Sequence, residues 1–521
     1  MIRREKMSAV DTAWLRMDRP SNRMMIVGVL MFEGIVDYER LKSTITARLL
    51  PFQRFRQCVV VEESGAWWQD DPGFDIDSHL CRVTLPGNAG KEALEAYAAA
   101  MMSHPLDPSK PLWQFSLIDN YQGGSALLSR IHHCIADGIA LVGVMLKLAD
   151  QTPVAHQEIV AIAAEDAAGR AAGGNSGEES ASSIGNAAEE DDTDFWKQLA
   201  APLTAAVVRT IGMSGVALTK SIEMLGQPDK AAQYAKVAGA VTAEIARLLA
   251  MPDDSPTRFK GKPGIAKSVA WSEPMDLDVV KAVGRVAGGS VNDVLLSCVA
   301  GALRGYLIEK GDDPADVEIR AMIPVNLRPS GSNARAGLGT ANRSSTADAL
   351  GNRFGLVTLS LPLGVANPLA RLAIVRARME SLKGSYQAPV TLGVLGLVGM
   401  APKAVQTQVL DLLAKKATAV MTNVPGPQSP LYMAGARLAQ MMFWVPQSGD
   451  IGMGVSILSY DGGVQFGLVT DSSFVPDPQA IVERFRPEFE RLVLILLQCP
   501  RDVDIDPLMA ERRVLQIAHL A

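Results

Sequence analysis

Residues 130–144 read RIHHCIADGIALVGV. Two of the chain's six histidines stand side by side here. An apolar run precedes them and a helix-like run follows. If SALLSRIHH (125–133) is a strand, successive side chains alternate between faces. Ile131 and His133 then share one face, and Arg130 and His132 the other. The two rings cannot both aim at one metal or one substrate. Even in a helix, neighbours point about 100° apart. There is no H-E-x-x-H, and His79, His104, His156 and His519 bring no carboxylate set, so no metal site is expected. One histidine acting as a base is better chemistry. A neutral imidazole, with a pKa near 6.5, takes a proton from a hydroxyl at neutral pH. Gly138 leaves room for close approach, and Asp137 can hold the turn or orient a histidine. Spacing alone leaves a second reading open: a hydrogen-bonded histidine pair at a strand end, with Asp-Gly as a turn signal.

Working outward, the chain mixes strand and helix patterns. MMIVGVLMFEG (24–34) reads as a strand and DYERLKSTITARLLPF (37–52) as a helix. EALEAYAAAMMSHPLD (92–107) is helical until Pro105. WQFSLIDN (113–120) and the strand carrying the histidines are joined by a turn at Gly123-Gly124. Further on, SVNDVLLSCVAGALRGYLIEKG (290–311) is the strongest helix. Ser290 and Asp293 form a capping box, and Gly311 stops it. EIRAMIPVNLR (318–328) and FGLVTLSLPLG (354–364) read as strands. IGMGVSILSY and VQFGLVTD (451–471) form a hairpin turning at Asp461-Gly462.

The 521 residues allow two to four domains of roughly 100–200 residues each. A net charge of −6 gives no electrostatic case for nucleic acid. Five scattered cysteines without a C-x-x-C pair fit a reducing cytoplasm. The N-terminus lacks the apolar core of a signal peptide, and no run reaches the ~18–20 apolar residues that span a bilayer. GEESASSIGNAAEEDDTD, within 155–194, has no basic residue and almost no large apolar one. Such a segment cannot offset its chain entropy and is expected to be disordered. The predicted division is therefore an N-terminal lobe (1–152), an acidic linker (153–194), a helical bridging segment (195–264) and a C-terminal lobe (265–521). The bridge contains a possible amphipathic surface helix at 195–226, with a packed helical linker as the plainer reading.

The opening stretch is more specific than its spacing. His132-His133-Cys134-Ile135-Ala136-Asp137-Gly138 resembles the H-H-x-x-x-D-G signature of the CoA-dependent acyltransferase superfamily. Other blocks resemble one branch of it, the bacterial wax ester synthase/diacylglycerol acyltransferases. They are PLW (111–113), VNDVLLS (291–297), PVNLR (324–328, with Asn326 where serine is commoner), GNRFG (351–355), TNVPGP (422–427) and SYDG (459–462). The seven blocks occur in order, and the resemblance runs from about residue 7 to 495, missing only the acidic linker.

The resemblance implies a fold: a mixed α/β chain of two chloramphenicol-acetyltransferase-like lobes, each a mixed sheet covered by helices, with an active-site tunnel between them. It implies a chemistry too. His133 takes the acceptor hydroxyl's proton, the oxygen attacks an acyl-CoA thioester, and CoA leaves, with no acyl-enzyme and no cofactor beyond acyl-CoA as substrate. His132 is supportive and faces away, and Asp137 is chiefly structural. Asn292, Thr422 and Asn423 are candidates for oxyanion stabilisation or substrate positioning, and Trp113 for packing or acyl contact. For Asn292, helix capping is the alternative. The partners implied are fatty acyl-CoA and either diacylglycerol or a long-chain alcohol, giving triacylglycerol or wax ester as storage lipid. A peripheral location at the cytoplasmic membrane or at lipid inclusions is expected. MMFWVP (441–446) is a candidate lipid contact, with core packing as its alternative.

Three rivals stay open. A condensation-type domain acylating a carrier-bound amine shares the histidine motif, but PLW, NDV and NVPGP favour the lipid branch. A plant-type acyltransferase would carry D-F-G-W-G, absent here. A non-catalytic lipid-binding protein is disfavoured by the intact His133, Asp137 and Gly138. Cys134 as a nucleophile is disfavoured because it alternates away from His133 and burial raises a thiol's pKa. Pro425-Gly426-Pro427 either shapes the tunnel or is only a rigid loop. No G-x-S-x-G or P-loop sequence is present.

Overall fold

The computed structural model describes residues 3–153, 250–327 and 350–498, positions 64, 384, 401 and 402 aside, together with Arg247. The acidic linker, most of the helical bridge, Arg328 and the last 23 residues lie outside the described residues, so the expectations for them are not addressed.

The first half runs β1 (Arg4–Lys6), α1 (Ala9–Met17), β2 (Met25–Glu33), α2 (Tyr38–Arg48), β3 (Gln57–Glu62), β4 (Gly65–Asp70), β5 (Leu80–Val83), α3 (Lys91–Ser103), β6 (Trp113–Tyr121), β7 (Gly124–His132) and α4 (Gly138–Leu148). The second half runs β8 (Lys267–Trp271), β9 (Met275–Asp276), α5 (Leu277–Val286), α6 (Val291–Glu309), β10 (Glu318–Asn326), β11 (Phe354–Pro362), α7 (Pro368–Leu382), α8 (Gln387–Met400), α9 (Lys403–Ala414), β12 (Ala419–Pro425), β13 (Tyr432–Met433), β14 (Ala436–Trp444), β15 (Met453–Tyr460), β16 (Gly463–Asp471) and α10 (Pro478–Leu497). Every strand and helix read from the sequence within these residues is present, with ends shifted by a few positions.

Two mixed sheets result. The first has the order β13-β14-β2-β7-β6-β5 and the second β11-β10-β12-β15-β16-β8, with β9 also paired to β16. The division between sheets is not the division along the chain: β13 and β14 come from the second half and complete the first sheet. β14 lies antiparallel to β2, with Phe443 opposite Gly28. MMFWVP is therefore mostly internal strand, with Met442 and Trp444 each 1% exposed. Met442 and Trp444 belong to the core cluster of Val27, Val29 and Leu128, while Met441, Met442 and Phe443 also line a cavity.

β7 is the central element. All nine of its residues are buried, so it needs no polar–apolar alternation. Leu127 and Ile131 pack with α2 and α4, while Ala126 and Leu128 pack with α3. The second core is built around α6, fourteen of whose residues are buried. This helix is long and apolar enough to cross a membrane, but its burial makes it the core of the second lobe. Its capping box is formed as the sequence predicts: Asp293 N donates to Ser290 Oγ and Ser290 N to Asp293 Oδ2. At the β15–β16 hairpin, Asp461 and Gly462 both take positive φ (47° and 76°), the conformation that the Asp-Gly pair supplies.

Candidate active site

The histidine pair sits where β7 ends. Pairing with β2 carries as far as His132 opposite Met25, and His133 N then donates to Met24 O at 2.7 Å. The chain turns through Cys134-Ile135-Ala136 into α4. Asp137 caps that helix, accepting from Ala140 N at 3.0 Å through Oδ1, while Oδ2 accepts from Arg353 N at 3.0 Å. Asp137 thus holds the helix start and joins the two halves of the chain.

The two rings point apart, as the strand reading predicts. His132 Nδ1 accepts from Cys134 N at 3.1 Å. Its neutral form therefore carries the proton on Nε2, which lies 3.9 Å from Asp18 Oδ1, beyond hydrogen-bond range. His133 instead stacks on Trp14, with ring centroids 4.0 Å apart and 17° between planes, and Phe354 tilts against it at 5.6 Å. Its Nδ1 has no partner of good geometry, although its own carbonyl lies close enough to favour protonation. Burial pulls both imidazoles down from 6.5 to about 4, against the nearby carboxylates of Asp137 and Asp18. Both are neutral at pH 7, and neutrality is what a base requires. Cys134 is fully buried, and burial pushes its thiol well above the ordinary range, which leaves it no thiolate to act as nucleophile.

Sequence reasoning did not find the residues that hold His133. Asn352 Nδ2 donates both to the His133 carbonyl (2.8 Å) and to Asp11 Oδ1 (2.8 Å). Asn352 belongs to the GNRFG block, which carried the resemblance without any role for this residue. Asp11 and Trp14 lie on α1, capped by Ser8. Only their distant partners reveal them.

An apolar cavity of about 90 Å³ begins at Gly138, five residues from His133. Its floor is the sheet face of Ile26, Gly28, Ser129 and Ile131. α4 covers it through Leu141, Val142 and Met145, and Gly426-Pro427 and Met441 close the sides. A methyl built on Gly138 would meet nothing nearer than Val445 Cγ1 at 3.8 Å. Protein packing does not demand glycine there, so the space is open to a ligand. Gly426 N is tied to Ser459 O at 2.8 Å. The Pro-Gly-Pro loop is thus both rigid and part of the cavity wall.

The remaining candidates separate. Asn423 Nδ2 donates to Asn292 Oδ1, linking β12 to the first turn of α6. On β12, Asn423 shares the face of Ala419 and Met421, which belong to the second core. Thr422 takes the opposite face, its hydroxyl beside Ser456 Oγ (3.2 Å) and Val455 O (3.4 Å). Trp113 sits in the core. It is 1% exposed, donates from Nε1 to Phe55 O at 2.9 Å and stacks on His79 at 4.5 Å. It is paired with Ile131 of β7 on the same sheet face but is not among the cavity's lining residues; its ring is taken up by contacts with Phe55, His79 and Phe115. No cluster of three or more His, Cys, Asp or Glu able to hold a metal occurs among the described residues.

Comparison with known proteins agrees with this arrangement. Residues 7–295 match the family model described as "Wax ester synthase/diacylglycerol acyltransferase catalytic domain", and residues 350–493 match "WS/DGAT C-terminal domain". The chain is 26% identical over 504 residues to "Probable diacyglycerol O-acyltransferase tgs1" of Mycobacterium tuberculosis H37Rv, covering 94% of this chain and 96% of that protein. In fold it is similar to the wax ester synthase/diacylglycerol acyltransferase from Marinobacter aquaeolei VT8, with a TM-score of 0.61, 19% identity and coverage of 94% and 100%. It is also similar to the first condensation domain of the calcium-dependent antibiotic synthetase, with a TM-score of 0.53, 13% identity and coverage of 94% and 96%.

Proposed function

Because this chain belongs to the wax ester synthase/diacylglycerol acyltransferase family, we propose that it transfers a fatty acyl group from acyl-CoA to the hydroxyl of a diacylglycerol or a long-chain alcohol. The observations that carry this reading are a buried His133, neutral at pH 7, and an apolar cavity whose lining begins at Gly138 of the same H-H-x-x-x-D-G stretch. His133 accepts the hydroxyl proton as the oxygen bonds to the thioester carbonyl carbon. The C–S bond then breaks, and the CoA thiolate takes a proton to leave as the thiol. No acyl-enzyme forms, because Cys134 is no nucleophile and His133 acts as a base. A positioned base typically contributes ~10²–10⁴-fold in rate. At about 90 Å³ the cavity is smaller than the ~150 Å³ apolar void that admits benzene, so a fatty chain requires its walls to move apart. Met145, Met433, Met441 and Met442 in its wall are the side chains flexible enough to adjust.

Lipid-soluble substrates call for a peripheral site at the cytoplasmic membrane or at lipid inclusions. The outer side of α4 supports this, since Ile139 is 37% exposed and Lys147 is the helix's one charge. Flotation with lipid vesicles tests it, and a protein that stays wholly with the aqueous fraction counts against it.

The central experiment is thiol release from palmitoyl-CoA, with hexadecanol or dioleoylglycerol as acceptor, beside folded His133→Ala. Acceptor-dependent release lost in the mutant is expected. Undiminished release by the mutant would remove His133 from the chemistry. Turnover only with a carrier-bound amine would instead favour the condensation-type reading.

A further inference from the structure

His133 Nδ1 has no hydrogen bond of good geometry, though the His133 carbonyl and the Asn352 side chain lie close enough to favour protonation, so ring contacts share in fixing the imidazole plane. The flat contact with Trp14 at 4.0 Å is the closest of these. Phe354 leans on both rings, 5.8 Å from Trp14 and 5.6 Å from His133. Trp14 is 5% exposed and its own Nε1 has no partner. A buried indole ordinarily finds a partner for its N–H. If filling space were its whole role, an aliphatic side chain such as leucine would serve without that orphaned donor.

The helix that carries Trp14 is fastened to the second half of the chain. Asp11 Oδ1 accepts from Asn352, Ala13 O accepts from Gln406 Nε2 at 2.9 Å, and Arg16 Nη1 donates to Gly399 O at 3.3 Å. At the crossing of α1 and α8, a methyl built on Gly399 would fall 1.8 Å from Ala9 O, so the two backbones are in contact. His133 hangs from the first sheet. Trp14 therefore connects the ring on one lobe to a helix seated on the other.

We propose that Trp14 is a positioning residue for His133, its indole face setting the imidazole plane and coupling it to the seating of α1 on the second lobe. This rests on His133 being the base. The ionisable groups around the ring are Asp137 at the start of α4, Asp11 on α1, and His132 with Asp18 behind it; Asn352 faces it from the second lobe.

Trp14→Phe keeps a ring to stack and deletes the N–H, whereas Trp14→Leu deletes the stack. In the thiol-release assay, Trp14→Phe should keep most of its kcat. Trp14→Leu should lose on the order of 10²-fold in kcat, the scale of a misplaced reacting group, with little change in KM for palmitoyl-CoA. Its acid limb should also move up, since water reaching the ring restores the charged form. Full kcat and an unmoved acid limb in a folded Trp14→Leu would overturn the proposal. So would a Trp14→Phe as impaired as Trp14→Leu, because the N–H would then be the essential group.

A second measurement needs neither the Trp14 variants nor turnover. In protein labelled at histidine, the ring protons of His133 should resonate upfield from the indole ring current and vanish in His133→Ala. His79, stacked on Trp113, is the internal reference. Absence of such a signal overturns the stack. Full turnover by His133→Ala would sink the base assignment instead, and is read separately from the ring shift.

Discussion

Asn352 holds His133 by its backbone: Nδ2 donates to the histidine's carbonyl oxygen at 2.8 Å across 219 residues of sequence, and the same amide nitrogen reaches Asp11. The ring stacks on Trp14 and leans on Phe354, while its backbone is held by a residue of the other lobe. Removing Asn352 leaves the His133 carbonyl and the Asp11 carboxylate buried without this donor. Burial already raises the Asp11 carboxyl, and Asn352 is the strongest influence opposing that rise. Asn352→Ala should cost on the order of 1–3 kcal/mol of stability and lower kcat as well. Thermal melting and thiol release measured on the same preparation check both. Unchanged melting would mean that water replaces the amide.

Gly138 separates stability from activity. Its added methyl has room and no positive φ to strain, and alanine is the better helix former. Gly138→Ala should melt at the same temperature or slightly higher while losing kcat/KM, because the methyl stands at the mouth of the cavity. A variant of full activity would show that no substrate passes there.

Gly28 lies mid-floor in the cavity, opposite Ser129 on one side and Phe443 on the other. A methyl there would sit 2.8 Å from Ser129 Oγ, so the hydroxyl must move and the floor rises. Gly28→Ala should shift preference toward shorter chains. Competition among octanoyl-, lauroyl- and palmitoyl-CoA reads this directly, and an unchanged profile would place the acyl chain elsewhere.

The histidine pair gives stability a pH dependence. Folded, both rings titrate at about 4; unfolded, near 6.5. Between these values the unfolded chain binds protons that the folded chain refuses. Stability is therefore full above about pH 6.5 and falls as pH drops toward 4, by on the order of several kcal/mol for two such rings. Asp11 acts in the opposite sense: its raised carboxyl loses its contribution as pH rises. Urea midpoints at neutral and mildly acid pH should fall with acid, and less steeply in His133→Asn. An equal slope in the variant would show that His133 is not the group refusing the proton.

The sequence by itself determined the local structure and the chemistry-bearing loop. The Ala126–Leu128 run after the Gly123-Gly124 turn marked β7, Ser290 and Asp293 capped α6, and Asp461-Gly462 turned the last hairpin, because such signals act within a few residues of chain. H-H-x-x-x-D-G identified the site for the same reason: its parts are neighbours in sequence. Tertiary structure alone decided what surrounds it. Trp14 reaches His133 from 119 positions away, Asn352 from 219, and β14 joins a sheet whose other long strands are more than 300 residues earlier. No periodicity encodes such pairings. They arise when two folded lobes bury apolar surface against each other, and that burial also keeps the His133 ring neutral at pH 7 and encloses Trp113 in the core.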